Sequence, residues 1–293
     1  MLFINYYLYI KNDFLIIIKI PTMIVGAHIP REKTIIKTMD EIKKRGGNAL
    51  QLFTTNPRSM RITDNSKYVN ESHLIKKYSN INKFAVVVHG PYVLNIANPF
   101  KYGKKELDIT DTFIYNDIVT ANYIGALGYV IHVGKSLKNP IPDALEMMKM
   151  NIKMLLDEMD KNNIKTKLVL ETPAGQGTEL LVDFKDFIKF YYSFTEKERK
   201  LFKLCIDTCH IWNAGYELDE IISFIPDKND VHIIHANNSK NVKNARVDRH
   251  EVILEGKMNP EDIKGFIKEF DNSIIILETP SENYKYEMDF ILN

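Results

Sequence analysis

Six short apolar runs in this chain each end in a side chain able to bind a metal ion. Residues 86–88 run into His89, 129–131 into His132, 168–170 into Glu171, 204–206 into Asp207, 233–234 into His235 and 275–277 into Glu278. Two further ligand pairs lie between these runs. Asp207 and His210 stand three apart in CIDTCH, so a strand that turns into a helix there aims both at neighbouring sites. Asp248 and His250 alternate in RVDRH, and residues two apart on an extended segment project to the same side. The candidates are therefore nine: His89, His132, Glu171, Asp207, His210, His235, Asp248, His250 and Glu278. Five of the eight histidines are among them, which rules out a site built on carboxylates alone. Imidazole-rich sites with mixed nitrogen and oxygen ligands favour zinc or a similar transition ion, whereas magnesium prefers oxygen ligands and retained water. So many ligands, with one carboxylate shared, suit a cluster of up to three ions. Metals a few ångströms apart can neutralise both the attacking and the leaving oxygen of a phosphodiester, so phosphate-ester hydrolysis is the natural reaction class.

Chemistry of this kind needs a scaffold that brings six run ends to one place. From Met23 onward, eight β-type runs recur (23–27, 49–53, 84–88, 129–131, 167–170, 204–206, 231–234 and 274–277). Longer stretches with helical periodicity separate them, among them 32–45, 105–127, 141–162 and 260–269. Strands alternating with helices imply an α/β fold with a parallel sheet, and near-continuous apolar strands imply burial on both faces. A closed (β/α)8 TIM barrel fits, because its strand C-termini converge on the face that carries active sites, and 293 residues suffice for its ~250. An open doubly wound sheet matches the same pattern, but its glycine-rich nucleotide fingerprints are missing. No linker or low-complexity tract divides 23–293, which reads as one catalytic domain. Residues 1–22 are apolar but broken by Lys11, Asn12, Asp13 and Lys19. They match neither a secretion signal nor a membrane span and are expected to lie outside the barrel, upstream of a candidate start at Met23.

The strings ETPAGQGTEL (171–180), CIDTCHIWNAG (205–215), HANNSK (235–240) and RVDRHEVILEGKM (246–258) resemble the signature segments of the endonuclease IV family, the zinc-dependent AP endonucleases. The likeness runs from about residue 23 to about 282, and the nine candidates fall on the family's metal ligands in order. The resemblance implies a xylose-isomerase-like barrel holding three Zn2+ ions per chain. One would be bound by His89, His132 and Glu171, a second by the shared Glu171 with Asp207, His235 and Glu278, and a third by His210, Asp248 and His250. It also implies cleavage of the phosphodiester 5′ to an abasic nucleotide in double-stranded DNA by a metal-bound hydroxide, leaving a 3′-hydroxyl, and trimming of blocked 3′ ends. Glu171 and Glu278 would be the catalytic carboxylates, Glu278 with a further role as general base.

Contacts to DNA are read from the same likeness. LFTTNPRSM (52–60) resembles the family's first recognition loop, with Arg58 at its DNA-inserting arginine, and Tyr92 and Val93 in HGPYV resemble its wedge. Inserted groups of this kind replace lost stacking, and an abasic nucleotide has no base to unstack. Lys135, Lys240, Lys243, Arg246 and Arg249 are candidates for phosphate contacts. Such contacts must be local, because 39 Lys plus Arg against 38 Asp plus Glu leave no global field.

Other residues have plainer readings. His28 is read as support for the site or as a buried hydrogen-bonded histidine, His73 and His232 as structural, Trp212 as core, and Cys205 and Cys209 as buried free thiols. Two cysteines cannot make a disulfide framework, which fits an intracellular, unsecreted protein; a monomer is expected. Two other functions compete. A sugar isomerase or epimerase of the same barrel group would use one or two manganese or magnesium ions and has no need of His210, Asp248 and His250. A zinc-stabilised DNA-binding module would close each site with four ligands.

Overall fold

Runs such as AVVV and KLVL have no polar face, so strands made from them must be covered on both sides. In a computed structural model of the chain, which describes residues 4–11, 14–21, 23–62, 64–102, 105–280 and 284–293, eight such strands close on themselves. They are β1 (Ile24–His28), β2 (Ala49–Leu52), β3 (Ala85–His89), β4 (Gly128–His132), β5 (Lys167–Glu171), β6 (Phe202–Asp207), β7 (Val231–His235) and β8 (Ile274–Leu277). Each pairs in parallel with the next, and β8 returns to β1 with Ile274 opposite Ile24. All eight expected runs are therefore strands, and the open-sheet alternative is excluded.

Alternation along the strands produces two cores. Ala49, Ala85, Val87, Val130, Val169, Cys205, Ile233, Ile274 and Ile276 fill the barrel interior. Their neighbours, such as Leu50, Val86, Val88, Leu168, Leu170 and Ile234, join a larger core packed under the helices. The inward rows carry the site. Two residues after Val87 comes His89, after Val130 His132, after Val169 Glu171, after Cys205 Asp207, after Ile233 His235 and after Ile276 Glu278, so the candidate ligands continue the interior stack at its C-terminal end.

The surrounding helices keep most of their expected positions. Helix Ile35–Lys44 starts at a Thr34 cap, Ile141–Lys161 follows Pro140, and Pro260–Lys268 is capped by Asn259. The single helix expected over 105–127 does not form. Lys105–Glu106 instead pairs with Lys101–Tyr102, a 3-10 turn spans Ile109–Asp111, and the helix is confined to Phe113–Tyr123. Two caps explain the break. The Asp108 side chain accepts from the Thr110 amide and the Thr112 side chain from the Tyr115 amide, so the chain stops and restarts within the run. At the N-terminus, Ile4–Lys11 and Phe14–Pro21 pair antiparallel in a two-stranded sheet apart from the barrel ladder.

Closure leaves no room at Gly26 on β1. A Cβ there would stand 1.6 Å from the Ala49 carbonyl oxygen, a backbone atom that cannot step aside. Gly26→Ala is expected to destabilise the barrel by about 3 kcal/mol or more, read as a fall of roughly 6 °C or more in thermal midpoint.

Candidate metal centre

Seven of the nine candidates line a bowl of about 750 Å³ at the open end of the barrel, walled also by His28, Arg31, Phe53, Tyr92 and Arg249, and Asp207 and His235 lie fully buried against them. Potential ligand atoms fall into groups within 4.8 Å of one another: His89, His132 and Glu171; Glu171, Asp207, His235 and Glu278; and His210, Asp248 and His250. These are the three sets expected from the sequence. A fourth group, Asp207, Cys209 and His250, also meets the distance, but burial pushes the Cys209 thiol up to about 12, so it is a poor source of thiolate.

Glu171 is the bridge between the first two groups. Its Oε2 faces His89 Nε2 at 3.3 Å and His132 Nε2 at 3.6 Å, while its Oε1 faces His235 Nδ1 at 3.0 Å. Each carboxylate oxygen thus looks into a different group. In the third group Asp248 Oδ1 lies 3.3 Å from His210 Nε2 and 3.2 Å from His250 Nε2. Both of those imidazole nitrogens are buried without a hydrogen-bond partner. A buried, unspent lone pair is costly unless something fills it, and a cation shared with Asp248 fills both.

The ring nitrogens turned away from the centre are spoken for, and that fixes which nitrogen faces inward. His89 Nδ1 donates to the Gly90 carbonyl at 2.6 Å, His210 Nδ1 to the Thr172 carbonyl at 2.8 Å and His250 Nδ1 to the Glu278 carbonyl at 3.2 Å. A backbone carbonyl can only accept, so each ring carries its proton on Nδ1 and presents the Nε2 lone pair. His235 is reversed. Its Nε2 donates to Gln51 Oε1 at 2.9 Å, leaving Nδ1 for the site.

Local structure places the remaining atoms. Asp207 ends β6 and caps helix Thr208–Asn213, its Oδ1 accepting from the His210 amide at 2.9 Å, so one carboxylate both starts the helix and orients the next ligand. Asn237 donates to Asp207 Oδ2 at 2.7 Å and accepts from the Glu278 amide at 2.8 Å, tying two ligands together. The short strand His250–Glu251 pairs with Asn238–Ser239 and brings the 248–250 segment over the bowl.

The electrostatics are those of a centre that demands positive charge. Burial works to raise Glu171 and Glu278, but the histidines beside them, His132 and His235 for Glu171 and His235 and His28 for Glu278, hold both carboxyls well below the usual range. Burial likewise opposes charge on His210 and His250. Asp207 and Asp248 nevertheless lift His210 well above its ordinary value and His250 to about 9. Protons and a bound cation therefore compete for the same imidazole lone pairs.

Two residues complete the ring of strand ends. His28 ends the inward row of β1, and Gln51, fully buried, ends that of β2. The Gln51 amide nitrogen lies 2.6 Å from Glu278 Oε1 and 3.0 Å from His28 Nδ1, while its oxygen takes the His235 proton. Of the two readings of His28, its contact with Glu278 at 3.0 Å favours support of the site. Gln51 was not foreseen, although a lone polar residue inside ALQL, a strand apolar on both faces, was the signal. Gln51→Leu removes the acceptor that sets the His235 tautomer and is expected to weaken metal binding about 10- to 100-fold, measured by titration against a chromogenic chelator.

The expected DNA contacts scatter more. Tyr92 lines the bowl, is 57% exposed, and packs its ring edge against Phe53 at 5.1 Å. Val93, 46% exposed, faces a neighbouring groove with Met60, Ile62 and Phe100. Arg58 is exposed on the loop after β2, which the Tyr92 amide joins by donating to the Pro57 carbonyl at 2.9 Å. Arg249 lines the bowl, its Nη1 donating to the Asp248 carbonyl at 2.5 Å. Lys240 is exposed outside that wall. The structure does not bring the other three there. Lys135 pairs with Glu179 at 3.6 Å, Lys243 with Glu217 at 2.7 Å, and Arg246 lines a separate cleft with Asp183 and Tyr216. Cys205 and Cys209 are free and buried, His73 is exposed, and His232 lies away from the bowl, its Nε2 3.2 Å from the Leu127 carbonyl.

Comparison with known proteins matches residues 39–293 to a family described as xylose isomerase-like TIM barrel. The chain is 34% identical over 284 residues to "Probable endonuclease 4" of Metamycoplasma arthritidis, covering 92% of this chain and 98% of that protein. Its fold is similar to the crystal structure of endonuclease IV from Thermus thermophilus, with TM-score 0.70, 21% identity and coverage of 91% and 98%. It is also similar to a D-tagatose 3-epimerase-like protein, with TM-score 0.68, 16% identity and coverage of 91% and 95%.

Proposed function

The chain belongs to the endonuclease IV family of xylose isomerase-like TIM barrels, and from that premise we propose that it hydrolyses the phosphodiester on the 5′ side of abasic sites in double-stranded DNA. The product keeps a 3′-hydroxyl, and blocked 3′ ends are trimmed by the same site. The observation that carries this reading is the third group, His210, Asp248 and His250, standing beside two groups bridged by Glu171. A one- or two-ion sugar isomerase has no use for it.

Three zinc ions fit these donors: His89, His132 and Glu171 would hold one, Glu171, Asp207, His235 and Glu278 the second, and His210, Asp248 and His250 the third. Bound there, zinc supplies Lewis acidity, lowering the pKa of water toward neutrality and offsetting charge on phosphate oxygens.

The chain's own groups do the positioning. Glu171 divides its two oxygens between neighbouring sites and so sets their spacing. Gln51 and His28 hold Oε1 of Glu278, which turns Oε2, 3.1 Å from His235 Nδ1, toward the second group, where it would help hold an ion and, with its other lone pair, accept a proton at the reacting centre. Tyr92 and Val93 present exposed apolar surface beside the bowl and fill the space of a missing base, with Arg58 alongside; no base has to be unstacked from an abasic nucleotide. Although the residue as a whole is exposed, desolvation on its bowl side and the carboxylates of Glu278 and Glu171 raise the Tyr92 hydroxyl, which stays protonated and hence a hydrogen-bond donor. Lys240 and Arg249 contact phosphates, and so would Lys135 and Arg246 after release from their present neighbours.

Residues 23–293 form the catalytic domain, with 1–22 outside it, and the protein works as a monomer inside the cell. Among the described residues no helix is long and apolar enough to cross a membrane. The test is a duplex carrying one abasic site. Incision 5′ to the lesion, abolished by chelation and restored by zinc, is the expected result. Incision that survives complete metal removal, or none with three ions bound, overturns the reading.

A further inference from the structure

Arg31 stands in the wall of the bowl three residues after His28, on the loop that leads from β1 to helix Ile35–Lys44. Its head is fixed from one side only. Nη1 donates to the Tyr68 hydroxyl at 3.1 Å, and the guanidinium carbon sits 5.0 Å from the Tyr68 ring centroid. Tyr68 is itself buried, and its hydroxyl donates to the Thr54 carbonyl. Thr54 in turn donates to Asp117, which also accepts from Tyr129 at 2.8 Å. The loops after β1 and β2 are thereby pinned to one buried hydroxyl chain, and Arg31 hangs from its end.

The other edge of the guanidinium is unspent. Nε is buried and has no hydrogen-bond partner, and among the described residues no carboxylate lies within 4.0 Å of the group. A half-buried cation with an orphaned donor is an uneconomical arrangement unless an anion completes it. The Nε/Nη2 edge of a guanidinium matches two oxygens of a phosphate; Nε has almost no exposed surface here, so the head, tethered at Nη1, must turn about that tether to present the edge, and the tether limits the entropy lost when the pair forms.

We propose that Arg31 is a tethered phosphate clamp: it grips a backbone phosphate of the bound DNA strand on the β1 side of the bowl, with Tyr68 as its positioning residue. The inference rests on the nuclease reading. It adds a phosphate contact on a wall of the bowl that the sequence reading left without one.

The test uses the zinc-loaded full chain and a duplex with one abasic site, with Arg31→Ala, Arg31→Lys and Tyr68→Phe. For Arg31→Ala the expected loss, about 10- to 100-fold, falls in KM more than in kcat, with unchanged metal content. The slope of log affinity against log salt becomes shallower by about 0.9, the share of one phosphate. Arg31→Lys keeps the slope and loses only part of the affinity, because the charge stays and the fork goes. Tyr68→Phe weakens binding at the wild-type slope. If the wild type cuts and Arg31→Ala retains its KM and salt slope, or if only its thermal midpoint falls, the clamp is overturned and the nuclease reading stands. A wild type that neither binds nor cuts the duplex removes both.

Discussion

Glu171→Gln is expected to drop incision of an abasic duplex by about 10⁴-fold or more, equivalent to roughly 5.4 kcal/mol of transition-state stabilisation at about 1.36 kcal/mol per tenfold. The substitution keeps side-chain shape and volume, so the barrel core that Leu168 and Leu170 help to form is undisturbed. What it removes is one full negative charge between two ligand groups. The carboxylate faces His89 and His132 with one oxygen and His235 with the other, and an amide can offer only one of those two acceptors. Bound zinc should fall from three ions toward one, counted by inductively coupled plasma mass spectrometry on desalted protein. A variant that retains three ions and wild-type rate shows that Glu171 bridges nothing.

The second large effect belongs to the third group. His210→Ala and Asp248→Ala should each cost about 10³-fold in incision, close to 4 kcal/mol, while metal content falls only from three ions to two. The asymmetry is the point. His210 and Asp248 share no ligand atom with His89 or His235, so the first two groups persist and the loss isolates what the third contributes. Truncating His210 also leaves Asp248 facing His250 alone, and truncating Asp248 removes the carboxylate that faces both imidazoles, so either change breaks the group and the double variant should cost little more than either single one. Steady-state rates on a fluorescent abasic duplex measure this directly. Under the sugar isomerase alternative neither substitution would alter the chemistry at the first two groups.

The strands and the polar side chains that end them were legible because one physical constraint governs both. A strand covered on two faces reads as an apolar run, and a polar side chain closing that run, two residues after an inward-facing Val or Ile, has to point into the barrel mouth. His89, His132, Glu171, Asp207, His235 and Glu278 end their runs in this way, with Cys205 as the inward residue before Asp207. Asp207 and His210 were readable as a pair because a capped helix begins between them. Gln51 escaped because Leu50 and Leu52 on either side make β2 look apolar throughout, and its partners His235 and Glu278 lie 184 and 227 residues away.

Residues whose roles depend on distant partners were the least readable. Lys135 and Lys243 look like free surface cations until Glu179 and Glu217 are brought against them. Arg31 shows the opposite case, an ordinary surface residue in sequence whose fixed head and empty donor edge exist only in the fold. The helix expected over 105–127 failed for a local reason that was visible in principle. Asp108 and Thr112 are both good cap residues, but the apolar periodicity running through them outweighed that signal.

Zinc-edge anomalous diffraction from crystals of the zinc-loaded protein addresses the gathering of nine side chains around several cations with the fewest intervening assumptions. Three peaks are predicted: one among His89, His132 and Glu171, one among Glu171, Asp207, His235 and Glu278, and one among His210, Asp248 and His250. A map with a single peak, or with no density beside His210, Asp248 and His250 at saturating zinc, would contradict the account.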